Sequence, residues 1–291
     1  MMHKLTCLLE HGFAGQGLVY TSPRLPKPLH ITLADPTGDE DRRLFSHFLW
    51  NSSLLLAELV EAGTLGLSAT GESASSARQD RAAGAVDVAP SRDFDIAGLS
   101  TIELGAGTAL PSIMAALLGA RHVVVTDYPS DVVMKTLRQN VAANTQPSFS
   151  PSGRIVSVED GAGIQVEGHG WGELDTPLAV KHRHTFDRVF VADCLWMPWQ
   201  HGNLQRSIGW FMKADAAARA WVFGGFHTGR ANMCGFFDEG ELAKEGLEIE
   251  RIWERDCDGF DRAWVTDRGV EDITERKRWL AVAVLKRVAS T

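Results

Sequence analysis

Glu103-Leu104-Gly105-Ala106-Gly107-Thr108-Ala109-Leu110 brings an acid, two glycines and the start of an apolar stripe into one short stretch. Glycine at 105 and 107 allows a tight turn and lets a ligand approach the backbone where a Cβ would stand in the way. Asp127 lies twenty residues beyond Gly107, at the end of the apolar run His122 to Thr126. A carboxylate there can accept hydrogen bonds from both hydroxyls of an adenosine ribose. Two ligand classes use such a joint. A dinucleotide loop wants a third glycine at 110, where this chain has Leu110. Its pyrophosphate also needs close approach to a helix N-terminus. S-adenosylmethionine has no phosphate and carries a positive sulfonium, which suits a loop preceded by Glu103. A bare turn without ligand is the plain alternative, and the joint spacing of glycines and acid argues against it.

Two later stretches point to the same cleft. Trp171-Gly172 offers a flat aromatic to stack on adenine, unless it is an ordinary core or surface tryptophan. Ala192-Asp193-Cys194-Leu195-Trp196 ends an apolar run, and Asp193 there can cap a helix, serve a site, or do both. His201 and His227 could stand at the cleft mouth as bases, although a lone histidine is more often structural. His182-x-His184 lacks a third and fourth ligand, so no metal site is expected. Glu275-Arg276-Lys277-Arg278 reads as a solvated turn.

These residues need a scaffold, and the periodicity supplies one. Residues 99–104, 122–126, 154–158, 186–192 and 220–223 read as five strands, with helices between them. Leu110, Ile113, Met114, Leu117 and Leu118 recur at the spacing of a buried-face helix, with Pro111 in its first turn and Gly119 beyond its end. Ser130 opens a helix carrying Val133, Leu137 and Val141. Leu204, Ile208, Phe211 and Met212 mark another, and residues 233–244 a further one. Residues 247–253 and 279–285 read as two closing strands that pair as a hairpin. The expected fold is α/β: a Rossmann-like, seven-stranded, mostly parallel sheet with an antiparallel C-terminal edge hairpin and helices on both faces. Residues 1–45 form an N-terminal extension that includes an alternating stretch, Leu29 to Leu33, and residues 46–291 form the main domain. A helix starts at Asn51 and carries Leu55, Leu56, Leu59 and Val60. Residues 66–95, poor in large apolar groups, read as a flexible insertion.

Composition narrows the partners. The chain has 291 residues, 44% hydrophobic and 23% charged, enough for a sizeable core. A net charge of −8 disfavours nucleic acid as principal partner. Four scattered cysteines point to a reducing, cytoplasmic setting. Neither a secretory signal nor a membrane span is visible. A monomer is expected.

Taken together, Leu49-Trp50-Asn51, the stretch Glu103 to Thr108, Asp127-Tyr128-Pro129, Trp171-Gly172, Ala192 to Met197, Gln200-His201 and Glu275 to Leu280 resemble the lysine methyltransferase family within the seven-β-strand class. The likeness covers roughly residues 45–288 and is strongest to a fungal branch labelled nicotinamide N-methyltransferase-like. That branch includes an enzyme acting on the N-terminus and an adjacent lysine of a translation elongation factor. The resemblance implies S-adenosylmethionine as cofactor, with Trp50 lining its pocket and Gly105, Ala106 and Gly107 facing the methionine part. It implies Asp127 on the ribose, and Trp171 and Ala192 at the adenine and sulfonium region. The family's aromatic after the fourth strand is usually Tyr or Phe; here it is Trp196.

The expected reaction is N-methylation of a protein amine, a lysine or an N-terminus, with Asp193 orienting the amine and Trp196 walling its channel. A small-molecule acceptor and a non-catalytic cofactor-binding module are the alternatives.

Overall fold

The computed structural model describes residues 10–12, 15–35, 48–67, 86–155 and 163–289. Two short strands, β1 (Gly17–Tyr20) and β2 (Leu29–Thr32), form an antiparallel hairpin ahead of helix α1 (Asn51–Thr64). The alternating units follow: β3 (Ser100–Leu104), α2 (Leu110–Leu117), β4 (His122–Asp127), α3 (Asp131–Asn144) and β5 (Gly163–Gly168). After a short helix α4 (Pro177–Lys181) come β6 (Arg188–Ala192), α5 (His201–Phe211) and β7 (Arg219–Gly225). The chain closes with α6 (Arg230–Cys234), α7 (Glu239–Lys244), β8 (Leu247–Asp256), β9 (Asp261–Ala263), α8 (Ile273–Arg276) and β10 (Trp279–Arg287).

One sheet of eight strands runs β9-β8-β10-β7-β6-β3-β4-β5. The five strands from β7 to β5 are parallel; β10 joins β7 antiparallel, and β8 and β9 continue antiparallel. Strands β3 and β6 are neighbours although they are far apart in sequence, so the connections leave the sheet in opposite directions on either side of them. Such a reversal opens a crevice at the carboxyl ends. The register is decisive: Leu104 pairs with Thr126, and Glu103 with Phe190. Continued past these pairs, the register brings Gly105 level with Asp127 on one side and Ala192 on the other.

Every residue of β3 is buried, as a central parallel strand covered on both faces requires. The core falls into two clusters. One holds α1, α2 and the apolar side of α3, together with Tyr20, Leu29 and Ile31 of the N-terminal hairpin. The other holds α5 with Phe186, Phe226 and Phe236.

The strand expected at 154–158 is not the third strand of the sheet. Its first residues, Arg154 and Ile155, are irregular, and 156–162 lie outside the described residues. The strand beside β4 is Gly163–Gly168, with Val123 opposite Ile164 and Val125 opposite Val166. Both stretches alternate, and only the second sits three residues from Trp171. The sheet has eight strands where seven were expected, because β9 is three residues long and carries no apolar alternation. The helix expected at 233–244 is two, broken by a turn at Gly235–Phe237, after which the Asp238 side chain accepts from Glu241 N–H and starts α7. Of the expected insertion, 68–85 lie outside the described residues, whereas the last part is packed. Phe94 there is fully buried, 4.9 Å from the ring of Trp221.

Candidate cofactor and acceptor site

A cavity of about 460 Å³ opens at the carboxyl ends of β3, β4, β5 and β6. That is within the size range of small-molecule sites, roughly 300–1,000 Å³. Trp50, at the start of α1, closes one side, and Trp171 and Trp196 stand on the loops after β5 and β6. Gly105, Ala106, Gly107, Asp127, Ala192 and Asp193 also line it. The cavity therefore gathers every residue expected for cofactor or acceptor except Glu103.

The glycine loop is shaped by positive φ. Gly105 has φ +73°, and a Cβ placed on it would lie 2.7 Å from Cys194 Sγ and 3.0 Å from Trp171 Cζ2. Gly107 has φ +53° and donates its N–H to Asp127 Oδ2 at 2.7 Å. Asp127 Oδ1 accepts from Tyr128 N–H at 2.7 Å. Each carboxylate oxygen keeps further acceptor capacity at the cavity wall. Burial pushes the Asp127 carboxyl up to about 6, against the pull of those two N–H groups.

Glu103 corrects the expectation. It is fully buried and does not reach the cavity. Its Oε2 accepts from the N–H of Ser112 at 3.1 Å and from the Ser112 hydroxyl, so it fastens the first turn of α2. Burial raises its carboxyl to about 8, so it is neutral at pH 7 and presents no anion to a sulfonium.

Asp193 follows β6 with φ +63°, a left-handed conformation uncommon for aspartate and concentrated at functional sites. The carboxylate is held from two directions. Ser52 of α1 donates its hydroxyl to Oδ2 at 2.8 Å, and Gly225 at the end of β7 donates its N–H to Oδ1 at 3.1 Å. His227 Nδ1 is 3.5 Å from Oδ1. The residue caps no helix; its side chain joins α1 to the end of β7.

Other candidates separate. His201 is buried, with Nε2 2.9 Å from the carbonyl of Leu195, and burial lowers its pKa; it supports the loop after β6. His182 packs between His122 and Phe186 at the amino ends of the strands, opposite the cavity. Cys194 is buried, points at the carbonyl of Leu104, and its thiol is pushed up by burial, so it is no nucleophile. Sequence reasoning missed His169, which lines the cavity. Its Nε2 lies 3.1 Å from Ser207 Oγ, the hydroxyl that also accepts from Gly172 N–H at 2.8 Å. Burial brings His169 down to about 4, so it is neutral and holds the Trp171 loop in place. Its position two residues before Trp171 is the only signal the sequence carried.

Comparison with known proteins agrees with this geometry. The family profile described as lysine methyltransferase matches residues 45–222. A Gibberella zeae protein named protein N-terminal and lysine N-methyltransferase EFM7 is 30% identical, covering 80% of this chain and 75% of its own. The Schizosaccharomyces pombe protein of the same name is 26% identical, covering 80% of each chain. A solved Streptococcus mutans chain assigned as a SAM-dependent methyltransferase shares the fold at TM-score 0.50 and 13% identity, covering 94% of this chain and 56% of that one. The chain belongs to the lysine methyltransferase family of S-adenosylmethionine-dependent enzymes.

Proposed function

We propose that this enzyme methylates a protein amine, a lysine side chain or an N-terminal amino group. One observation carries the reading: a buried, fixed carboxylate, Asp193, shares a cavity with the glycine loop and is flanked by tryptophan. The similarity to proteins named N-terminal and lysine N-methyltransferases supports the same acceptor class. We take a translation elongation factor as the acceptor to test first, and the working form as a cytoplasmic monomer. No helix among the described residues is long and apolar enough to cross a membrane.

When bound, S-adenosylmethionine supplies a methyl carbon already activated by its sulfonium. The chain has to align and desolvate. Gly105, Ala106 and Gly107 offer backbone to the methionine part, Asp127 accepts from the ribose hydroxyls, and Trp171 and Ala192 border the adenine and sulfonium. Trp50 closes the cofactor side. Asp193 receives the acceptor amine in hydrogen bond and aims its lone pair, while Trp196 walls the channel and faces the cationic product. Glu103 acts from beneath, by holding the helix that follows the loop.

The test is incubation with radiolabelled cofactor and purified elongation factor or lysate. Label in a protein band is expected, and label only in a small-molecule fraction overturns the acceptor class. Asp193→Asn keeps cofactor affinity and lowers turnover by about a hundredfold, the scale of lost alignment in a fixed site. Turnover at the wild-type rate removes Asp193 from the reaction.

A further inference from the structure

We propose that His227 is a positioning residue for methyl transfer, the third donor that fixes the Asp193 carboxylate. The inference rests on the acceptor role of Asp193 just given. The end of β7 supplies both Gly225, whose N–H binds Oδ1, and His227, two residues on. The His227 ring stacks on Trp50, with centroids 4.8 Å apart and planes 24° from parallel. Its Nδ1 is buried, has no hydrogen-bond partner among the described residues, and faces Asp193 Oδ1 at 3.5 Å. A buried ring nitrogen left without a partner is costly, so the contact is an unfinished one. Catalytic hydrogen bonds are often long in the empty site and tighten when ligands arrive.

The carboxylate's geometry gives the contact its purpose. Ser52 takes one position on Oδ2, and Gly225 takes one on Oδ1. A proton on His227 Nδ1 takes the remaining position on Oδ1, which leaves Oδ2 to receive the acceptor amine. The ring then carries a proton on Nδ1, with Nε2 directed away from the carboxylate. A merely structural His227 would need only its face against Trp50.

The ring also has a rigid base. Arg230 begins α6 three residues later and is 5% exposed; it pairs with the fully buried Glu254 at 2.6 Å and with Glu271 at 3.0 Å. Its guanidinium lies 4.1 Å from the centre of the Phe226 ring, so the residue before His227 is clamped as well.

Two readouts separate the roles. First, ¹⁵N imidazole shifts are recorded on the full chain saturated with S-adenosylhomocysteine. A proton on Nδ1 of His227 is expected in the wild type, moving to Nε2 in Asp193→Ala, which leaves no acceptor there. Nε2–H in the wild type, or a spectrum that ignores the Asp193 change, overturns the proposal. Second, His227→Phe keeps the stack on Trp50 and removes the donor, so cofactor KM should stay within about twofold while kcat falls about 10–100-fold, the range of misaligned reacting groups. His227→Asn, whose amide reaches the Nδ1 position, should recover part of kcat. Unchanged kcat in His227→Phe, or a cofactor KM that rises in step with the loss, overturns it. If the wild type labels no protein amine, the acceptor reading falls, and the tautomer still decides the His227 assignment. If His227→Phe does not fold, the Asp193→Ala spectrum and His227→Asn turnover decide it.

Discussion

Glu103, next to last in β3, is fully buried, with Oε2 taken by Ser112 and Oε1 without a partner among the described residues. Its type and position suggest a counter-charge for a sulfonium; its depth makes it a neutral acid. A raised folded pKa has a definite sign in stability. An unfolded Glu103 releases its proton near 4.5, while the folded one keeps it to about 8, so its contribution falls across that window and levels above it. Glu103→Gln lacks this slope. Its stability relative to wild type should improve from pH 5 to pH 8, by at most about 1.4 kcal/mol per pH unit, in urea denaturation. Parallel pH profiles would show that Glu103 is ionised in the fold. Asp127 works the other way on the ligand. Its carboxyl sits at about 6, and the proposed bonds from ribose hydroxyls require its ionised form. Cofactor affinity by calorimetry should therefore hold from pH 8 to 7 and weaken below about 6, up to tenfold per unit, with Asp127→Asn weak and flat throughout. A wild-type affinity that stayed constant down to pH 5 would remove Asp127 from the ribose. Residue type and spacing thus located the site's wall, and burial, which no spacing encodes, separated Glu103 from it.

Elements were legible wherever an apolar period ran long, as in α2 and α3, and illegible where two stretches alternated equally well. Arg154 to Val158 and Gly163 to Gly168 both pass as strands, and what chooses between them is the partner, β4, whose Val123 and Val125 need apolar residues alongside. The same limit hid how the N-terminal hairpin is attached. The stretch Leu29 to Leu33 reads as a strand, yet nothing local says what its outer edge meets. Asn140 and Asn144, one turn apart on α3, meet it. Asn140 accepts from Thr32 N–H at 2.8 Å and donates to Thr32 carbonyl at 2.9 Å; Asn144 does the same for His30 at 2.8 and 2.9 Å. Two side-chain amides so stand in for a neighbouring strand and close an edge that would otherwise invite pairing. Asn140→Ala removes both bonds to the partly exposed Thr32 backbone and should cost about 1 kcal/mol, the net worth of an ordinary hydrogen bond whose groups can turn to water. Amide hydrogen exchange gives the specific reading, since Thr32 should lose protection while β3 and β4 keep theirs. Undiminished protection at Thr32 would mean that the β1–β2 pairing alone holds the hairpin.

At the scale of the whole molecule, the cavity is a product of strand order. The glycine loop, Asp127, Trp171 and Asp193 come from four connections that share one end of the sheet, and Trp50, just before α1, and Ser52, in its first turn, arrive from a segment that precedes the sheet in sequence. Alternating strands and helices made the mostly parallel sheet readable, because right-handed crossovers leave few other arrangements, whereas the strand order that sets the switch point came only with the structure. Trp50 was expected at the pocket, but the Ser52 contact was not readable, since Ser52 and Asp193 are 141 residues apart and neither carries a local sign of the other. A ligand that touches so many separate connections binds only when all of them are folded. S-adenosylmethionine at a hundred times its Kd should therefore stabilise the entire chain by about 2.7 kcal/mol and raise the melting temperature. NAD should leave it unchanged, because Leu110 fills the place where a dinucleotide loop needs its third glycine. Gly105→Ala should abolish the cofactor's effect. The added methyl would meet Cys194 and Trp171 at 2.7 and 3.0 Å, on a residue already at φ +73°, and both neighbours are cavity walls. Thermal melts of the two proteins with each ligand give the comparison. A rise with NAD, or a Gly105→Ala protein that still responds to S-adenosylmethionine, would place the cofactor away from this loop.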